Sequence, residues 1–436
     1  MTRPRVVVCG GGLAGIAAAC EASLRGAEVT LVERRPFLGG KAFSFRDPDS
    51  GAEIDNGQHV FLGCCTAYAG LLRLLGTAGQ TTLQPTLDVA VRDREGRVGR
   101  LRATRLPAPL HLAPSFAAYP HLSPRRKAAA ARALAVLALL TPSELEALDE
   151  LTFADWLRAH GQDEETISRF WDLIVLPTCN DRSARVSAGL AAFVFREGLL
   201  RTRAGGAIGW SRVGLTRLVD PAARTFLASR GGRVLTGRAV ARVEDGRVRL
   251  GDGTELPADR VILALPPARA HQAAPEAVPA DPALGSSPIV NVHVWYDRPV
   301  MEEPFVAVVD GPAQWVFNRS AMGHDARGGH HLAVSVSGAR EEIRLSKEDL
   351  AARMRAELAH LFPAARGAAV ERVAVVKEPD ATVAQGPGQA SRRLGARTPL
   401  PGVLLAGAWT ATGWPATMEG AVRSGITAAR AALPAF

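Results

Sequence analysis

Lysine is nearly missing from this chain. Of 52 basic residues, only Lys41, Lys127, Lys347 and Lys377 are lysines, and the rest are arginines scattered along the sequence. Basic residues exceed the 43 acidic ones for a net charge of +9. Because the arginines are not gathered on a motif that grips bases, no nucleic-acid partner is expected. An anionic membrane surface is the better match for a mild positive excess. Cysteine is also sparse. Cys9, Cys20, Cys64, Cys65 and Cys179 are odd in number and hold no C-x-x-C pair, which argues against a disulfide framework and a zinc site. No metal is expected, and a reducing cytoplasm suits the chain. Long apolar runs are missing too. None approaches the roughly 20 residues that span a bilayer. The longest candidate, Ala128 to Leu140, is short and contains Arg132. Arg3 and Arg5 before an apolar run mimic a secretion leader, but that run contains a nucleotide-binding turn, so cleavage would destroy it.

That turn organises the N-terminus. Arg5 to Cys9 is a β-branched run, Gly10-Gly11-Gly12-Leu13-Ala14-Gly15 follows, and an Ala-rich helical pattern runs on to about Arg25. Gly26 ends it, Glu28 to Val32 reads as a second strand, and Glu33 stands at its end. Gly10 allows the tight turn, Gly12 lets a pyrophosphate approach the backbone, and Gly15 lets helix and strand pack closely. Leu13 and Ala14 open the helix, whose unpaired N–H groups and dipole suit phosphate. Glu33 lies at the distance of an acid that binds ribose hydroxyls and would repel a 2′-phosphate. There is one such fingerprint, so no separate NAD(P)H domain is evident.

Arg34 and the Gly39-Gly40-Lys41 segment extend the motif, and Gly57-Gln58-His59 forms a polar loop amid apolar residues. Leu87 to Val91 and Val98 to Leu101 read as a hairpin leading into a Pro-rich connector. Ser123-Pro124 starts a helix whose basic opening and apolar tail suit either a core or a membrane face. Thr141-Pro142-Ser143-Glu144 is a capping box. Helical patterns follow over Phe153 to His160 and Glu164 to Ile174. Strands resume near Gly231. Ala239 to Val243, Val248 to Leu250 and Glu255-Leu256 form a meander with turns at Asp245-Gly246 and Asp252-Gly253. Arg260 to Leu265 is almost wholly apolar, as in a parallel sheet covered on both faces, and is placed beside the first strand. Residues 288 to 338 turn antiparallel, Lys347 to Leu361 is a helix, and the chain closes with strand, Trp/Gly/Pro-rich loop and helix.

The N-terminal fingerprint with Gly39-Gly40, the meander ending in Ile262-Leu263-Ala264-Leu265-Pro266-Pro267, and the closing strand-loop-helix resemble the flavin amine oxidase and phytoene desaturase superfamily. Ile54 to Gly63 and Thr412 to Gly425 look like its squalene-associated branch, the hydroxysqualene dehydroxylases. Phe170 to Asn180 and Ile289 to Val300 are similar but less specific. The resemblance implies an α/β fold: a Rossmann-like FAD-binding domain with a β-meander, plus an α+β substrate domain. The first would take residues 1–85, 205–268 and 395–436, and the second, facing substrate and membrane, residues 86–204 and 269–394. Non-covalent FAD is implied, held also by Val240, Gly407, Ala408, Met418, Glu419 and Ala421. The closing helix would stabilise negative charge at the flavin's N1–C2=O edge. Hydroxysqualene, an apolar C30 isoprenoid, would lose its hydroxyl and gain a hydride, with His59, Asp181 or Glu419 as proton donor. Peripheral contact with the inner membrane is expected. Family members usually carry an acid where this chain has Ala408, a departure that predicts looser FAD binding. A carotenoid desaturase or saturase is the alternative, followed by a non-catalytic isoprenoid-binding protein of the same fold.

Overall fold

A computed structural model describes residues 3–47, 51–244, 246–280, 284–324 and 329–433. Five parallel strands form its nucleotide-binding sheet, in the order Arg233–Thr236, Glu28–Glu33, Arg5–Cys9, Arg260–Leu263 and Val403–Leu405. Successive side chains of the central strands enter two different cores. Val6, Val8, Leu31 and Ile262 pack under the first helix (Leu13–Leu24) and the closing helix (Met418–Ala432). Val7, Cys9, Val32, Val261 and Leu263 pack against the opposite layer, which includes the meander residues Val243, Val248 and Leu250. Two covered faces explain why these strands read as unbroken apolar runs. The strand Arg260–Leu263 lies beside the first, as expected, with Val8 opposite Ile262. The meander is a three-stranded antiparallel sheet. Of its two expected turns, the one at Asp245-Gly246 begins on a residue outside the described set.

The two helices over this sheet approach very closely. A Cβ on Gly425 would overlap the Ala14 carbonyl and lie 2.9 Å from the Ala18 nitrogen. Small residues on both helices permit that contact.

A seven-stranded sheet forms the second layer system, in the order Val370–Val383, Ser286–Tyr296, His330–Ser337, Trp315–Asn318, Phe305–Val308, Asp88–Arg92 and Val98–Arg102. The expected hairpin supplies the last two strands. One face, including Val290, Val292, Val294 and Val334, packs on Leu350, Met354 and Leu358 of the helix Lys347–Leu361. On the other face Phe305, Ala307, Phe317 and Ala333 join a helical core with Trp171, Phe195 and Trp210. The edge strand Val370–Val383 was not legible in the sequence, because Lys377-Glu378-Pro379-Asp380 interrupts its alternation.

Helix starts follow their capping chemistry. Ser123 caps the helix Pro124–Leu139 by accepting from the Arg126 N–H, and the Thr141–Glu144 box is complete. The pattern expected to end at Ile174 runs further. It passes through a wide turn at Ile167–Trp171 and continues, despite Pro177, to Cys179. Asn180, in the left-handed region at φ 55°, ends it.

Candidate functional site

The glycine turn divides its labour as the motif requires. Gly10 has φ 109°, and a Cβ there would strike the Ala264 carbonyl. A Cβ on Gly15 would overlap the Gly10 carbonyl. Gly12 is different. Its Cβ would meet nothing nearer than the Gly40 Cα at 3.6 Å, so the backbone is open on that side. Gly12 also forms the N-cap of the first helix, and no side chain caps the N–H groups there. An open backbone facing uncapped N–H groups fits a pyrophosphate. Gly39 pairs with Gly12 in a parallel bridge and donates its N–H to Gly11 at 2.8 Å, while Gly40 lies so close to Gly12 that a Cβ would come within 2.7 Å of its Cα.

Glu33 is held over this turn. Its carboxylate accepts from the Gly11 N–H at 2.7 Å and the Arg35 N–H at 2.8 Å. Arg238 donates its N–H to the Glu33 carbonyl, two residues before Val240 opens the meander. Arg34 is exposed beside it. Lys41 turns elsewhere. Its ammonium donates to the Asp380 carbonyl on the second sheet, and burial lowers its pKa.

The closing segment supplies the other wall. Gly407 has φ 148° and donates its N–H to the Ser424 hydroxyl at 2.8 Å. Ala408 follows, half-buried and carrying no acceptor. Thr417 caps the closing helix, with Met418 its first residue and Ala421 packed on the core below. These residues fit FAD: a glycine cradle with an acid for the adenosine half, and a second helix N-terminus for the ring.

The three candidate proton donors have different partners. Glu419 is 1% exposed, and its carboxylate accepts from the N–H groups of Ala67 and Tyr68 at 3.0 and 2.8 Å and from Arg423 at 2.7 Å. It ties the helix Thr66–Leu74 to the closing helix. Asp181 is ion-paired with Arg340 at 2.5 Å and also accepts from the Arg182 N–H, so it too is engaged. His59 donates from Nδ1 to the Gly57 carbonyl at 2.8 Å, with no bond from Nε2 among the described residues. Burial lowers its pKa, which the Gly57 carbonyl and Asp55 partly offset.

A buried polar cluster behind the Gly57–His59 loop was missed from the sequence. Arg319 and Asp55, each 2% exposed at the side chain, are paired at 2.6 Å. Arg319 also donates to the Gln58 side chain at 2.5 Å and contacts His324 at 3.0 Å. Burial alone would raise Asp55, but the Arg319 guanidinium, the Ser44 hydroxyl and the Leu215 N–H hold it below the usual carboxylate range. His293 and His331 share a hydrogen bond of 3.0 Å, and His331 stacks on Trp295 with centroids 4.1 Å apart. Burial and the Arg319 charge push His293 down to about 3 and His324 to about 4. One sequence signal pointed here. Asn291, His293 and Trp295 alternate with valines, so a polar row occupies one face of an otherwise apolar strand.

A family model for flavin containing amine oxidoreductases matches residues 13–433. The chain is 30% identical to a hydroxysqualene dehydroxylase of Sinorhizobium fredii, covering 98% of both chains. It is 26% identical to a zeta-carotene desaturase of Synechocystis, covering 98% of this chain and 97% of that one. In fold it is similar to cyclohexylamine oxidase from Brevibacterium oxydans, with a TM-score of 0.71, 21% identity and 99% of each chain covered. The chain belongs to the flavin-containing amine oxidoreductase family, in the branch that includes the hydroxysqualene dehydroxylases, and it is an FAD-dependent oxidoreductase.

Proposed function

We propose that this enzyme converts hydroxysqualene to squalene. The observation that carries the reading is end-to-end similarity, at 30% identity, to a protein of that activity. In this reading Gly10, Gly12, Leu13, Ala14, Gly15, Glu33, Arg34 and Val240 would hold the cofactor's adenosine and pyrophosphate, and Gly57, Gln58, Gly407, Ala408 and Met418 would hold its ring. Bound and reduced, FAD supplies a hydride. The protein's task is to hold the isoprenoid, exclude water and manage one proton. The C–O bond would break, the hydroxyl would leave with that proton as water, and the carbon would take the hydride the cofactor supplies. With Asp181 and Glu419 engaged, His59 Nε2 is the group we assign to the proton. Its lowered pKa makes the charged form scarce but a strong acid. Turnover should therefore rise as pH falls below neutrality, and a His59→Gln variant should lose that rise.

Membrane contact would supply the isoprenoid. No helix among the described residues is long and apolar enough to cross a bilayer. On the helix Pro124–Leu139, exposed Arg125, Arg132, Val136 (38%) and Leu139 (81%) share a face, the pattern of a helix lying in an interface. Val136→Glu with Leu139→Glu should abolish flotation with anionic vesicles.

The second reading is a carotenoid desaturase, favoured by the similarity to zeta-carotene desaturase. The deciding experiment is an anaerobic single turnover. Reduced enzyme given hydroxysqualene should yield squalene. No product from it, together with desaturation of zeta-carotene by oxidised enzyme, would replace the first reading with the second.

A further inference from the structure

We propose that Cys64 and Cys65 form an oxidant-sensitive dithiol, which hydrogen peroxide closes into a disulfide between neighbours and so unlatches the helix Thr66–Leu74 from the closing helix. The five cysteines fall into two groups. Cys9, Cys20 and Cys179 are buried, and burial pushes each thiol up to about 12, so they stay protonated and unreactive. Cys64 and Cys65 are half-buried and adjacent in the chain. The Cys65 thiol, as a hydrogen-bond partner, holds the Cys64 thiol below its ordinary range, and the Cys65 thiol is raised in turn. A thiol that ionises readily beside a second thiol that can resolve it is the arrangement peroxide oxidises selectively.

The pair is built into a junction. Gly63 donates its N–H to the Ala207 carbonyl at 2.8 Å and Cys64 donates to the Gly205 carbonyl at 3.0 Å, which clamps this backbone on residues 204–207. A Cβ on Gly63 would overlap the Ala204 carbonyl, so the clamp is tight. The peptide that joins the two cysteines is held at both its polar atoms. The Cys65 N–H donates to the Leu62 carbonyl at 2.8 Å, and the Cys64 carbonyl accepts from the Thr66 N–H at 2.9 Å. Directly beyond it, the first turn of the helix is fastened to the closing helix. Glu419 accepts from the Ala67 and Tyr68 N–H groups, and Arg423 donates to the Thr66 hydroxyl at 3.2 Å.

The Cys64 thiolate attacks one oxygen of the peroxide. The O–O bond breaks, and the other oxygen takes a proton from solvent and leaves as water. The Cys65 sulfur then displaces the hydroxyl of the Cys64 sulfenic acid: the S–S bond forms, the S–O bond breaks, and the Cys65 proton leaves with the hydroxyl as a second water. The two sulfurs are oxidised by two electrons in all, and one peroxide is reduced. Neighbouring Cα atoms stand about 3.8 Å apart, closer than the roughly 4.4–6.8 Å a disulfide prefers, so the link is strained and easily reduced again. Closing it turns the peptide between the cysteines. That breaks its bonds to Leu62 and Thr66 and draws the first helical turn away from Glu419.

The test uses the holoenzyme treated with hydrogen peroxide. The tryptic peptide Asp47 to Arg73 contains both cysteines and no other. It should become lighter by two hydrogens and resist alkylation, and dithiothreitol should reverse both changes. The oxidised holoenzyme should melt below the untreated one and recover on reduction. Cys64→Ser with Cys65→Ser cannot close the link and should melt alike before and after peroxide. In Glu419→Gln the fastening is already weakened, so peroxide should lower the melting temperature less than in the parent. If the peptide still takes two alkyl groups after peroxide, or gains oxygen in place of the closed link, the dithiol assignment is wrong. If the link closes without lowering the parent's melting temperature, or lowers that of Glu419→Gln equally, the unlatching is wrong.

Discussion

Gly12 and Gly15 stand one helical turn apart, yet a methyl group would act differently at each. At Gly15 it would overlap the Gly10 carbonyl, whereas at Gly12 it meets ordinary van der Waals space on the side open to phosphate. Gly15→Ala should therefore lose both fold and flavin. Gly12→Ala should melt as an apoprotein near the parent temperature but fail to retain FAD. Apoprotein melting together with flavin titration checks both. Ala408 offers the opposite test. An acid there would add a charge-assisted hydrogen bond to the ribityl chain, as the family resemblance implies, worth about 1.5–3 kcal/mol. Ala408→Asp should accordingly tighten FAD at least tenfold by equilibrium dialysis, and unchanged affinity would remove the ribityl chain from that position.

At the scale of elements, Glu419 joins two helices end to side. Glu419→Gln leaves one amide N–H of Ala67 or Tyr68 facing another donor and strips Arg423 of its carboxylate, at a cost of about 1–3 kcal/mol. Denaturant melts should show that loss while turnover per bound flavin holds. A collapse in turnover at full stability would restore Glu419 as an acid. Elements were legible where a local rule governs them. The strand-turn-helix of residues 5–24 follows from steric demands on three nearby glycines, and the hairpin Leu87 to Leu101 from its alternation. The Arg319–Asp55 pair was not legible, since its partners belong to separate strand-loop units and carry no periodic signal. Lys41 misled for a related reason. The motif places its backbone, but its ammonium is drawn to a carbonyl on a strand whose sequence did not read as one.

For the whole molecule, the buried histidines set a pH dependence. His293 and His324 are held neutral, near 3 and 4, while unfolded histidine titrates near 6.5. Their folded values are depressed, so the unfolded chain binds more protons below pH 6.5, and stability falls as pH drops from there toward 4. Each contributes a slope of about 1.4 kcal/mol per pH unit in that window. Urea melts between pH 7 and 5 should show the decline, and His293→Phe should make it shallower while His324 keeps its share. The contact between the first and closing helices has a different kind of consequence. Arg430 and Glu21, 409 residues apart in sequence, are paired at 2.8 Å, and Gly425 is pressed against Ala14. During synthesis the glycine turn leaves the ribosome long before the helix that covers it. The nascent nucleotide-binding unit must wait with an apolar helix face uncovered, so cofactor loading falls to the finished chain and the waiting interval is when this protein most needs a chaperone.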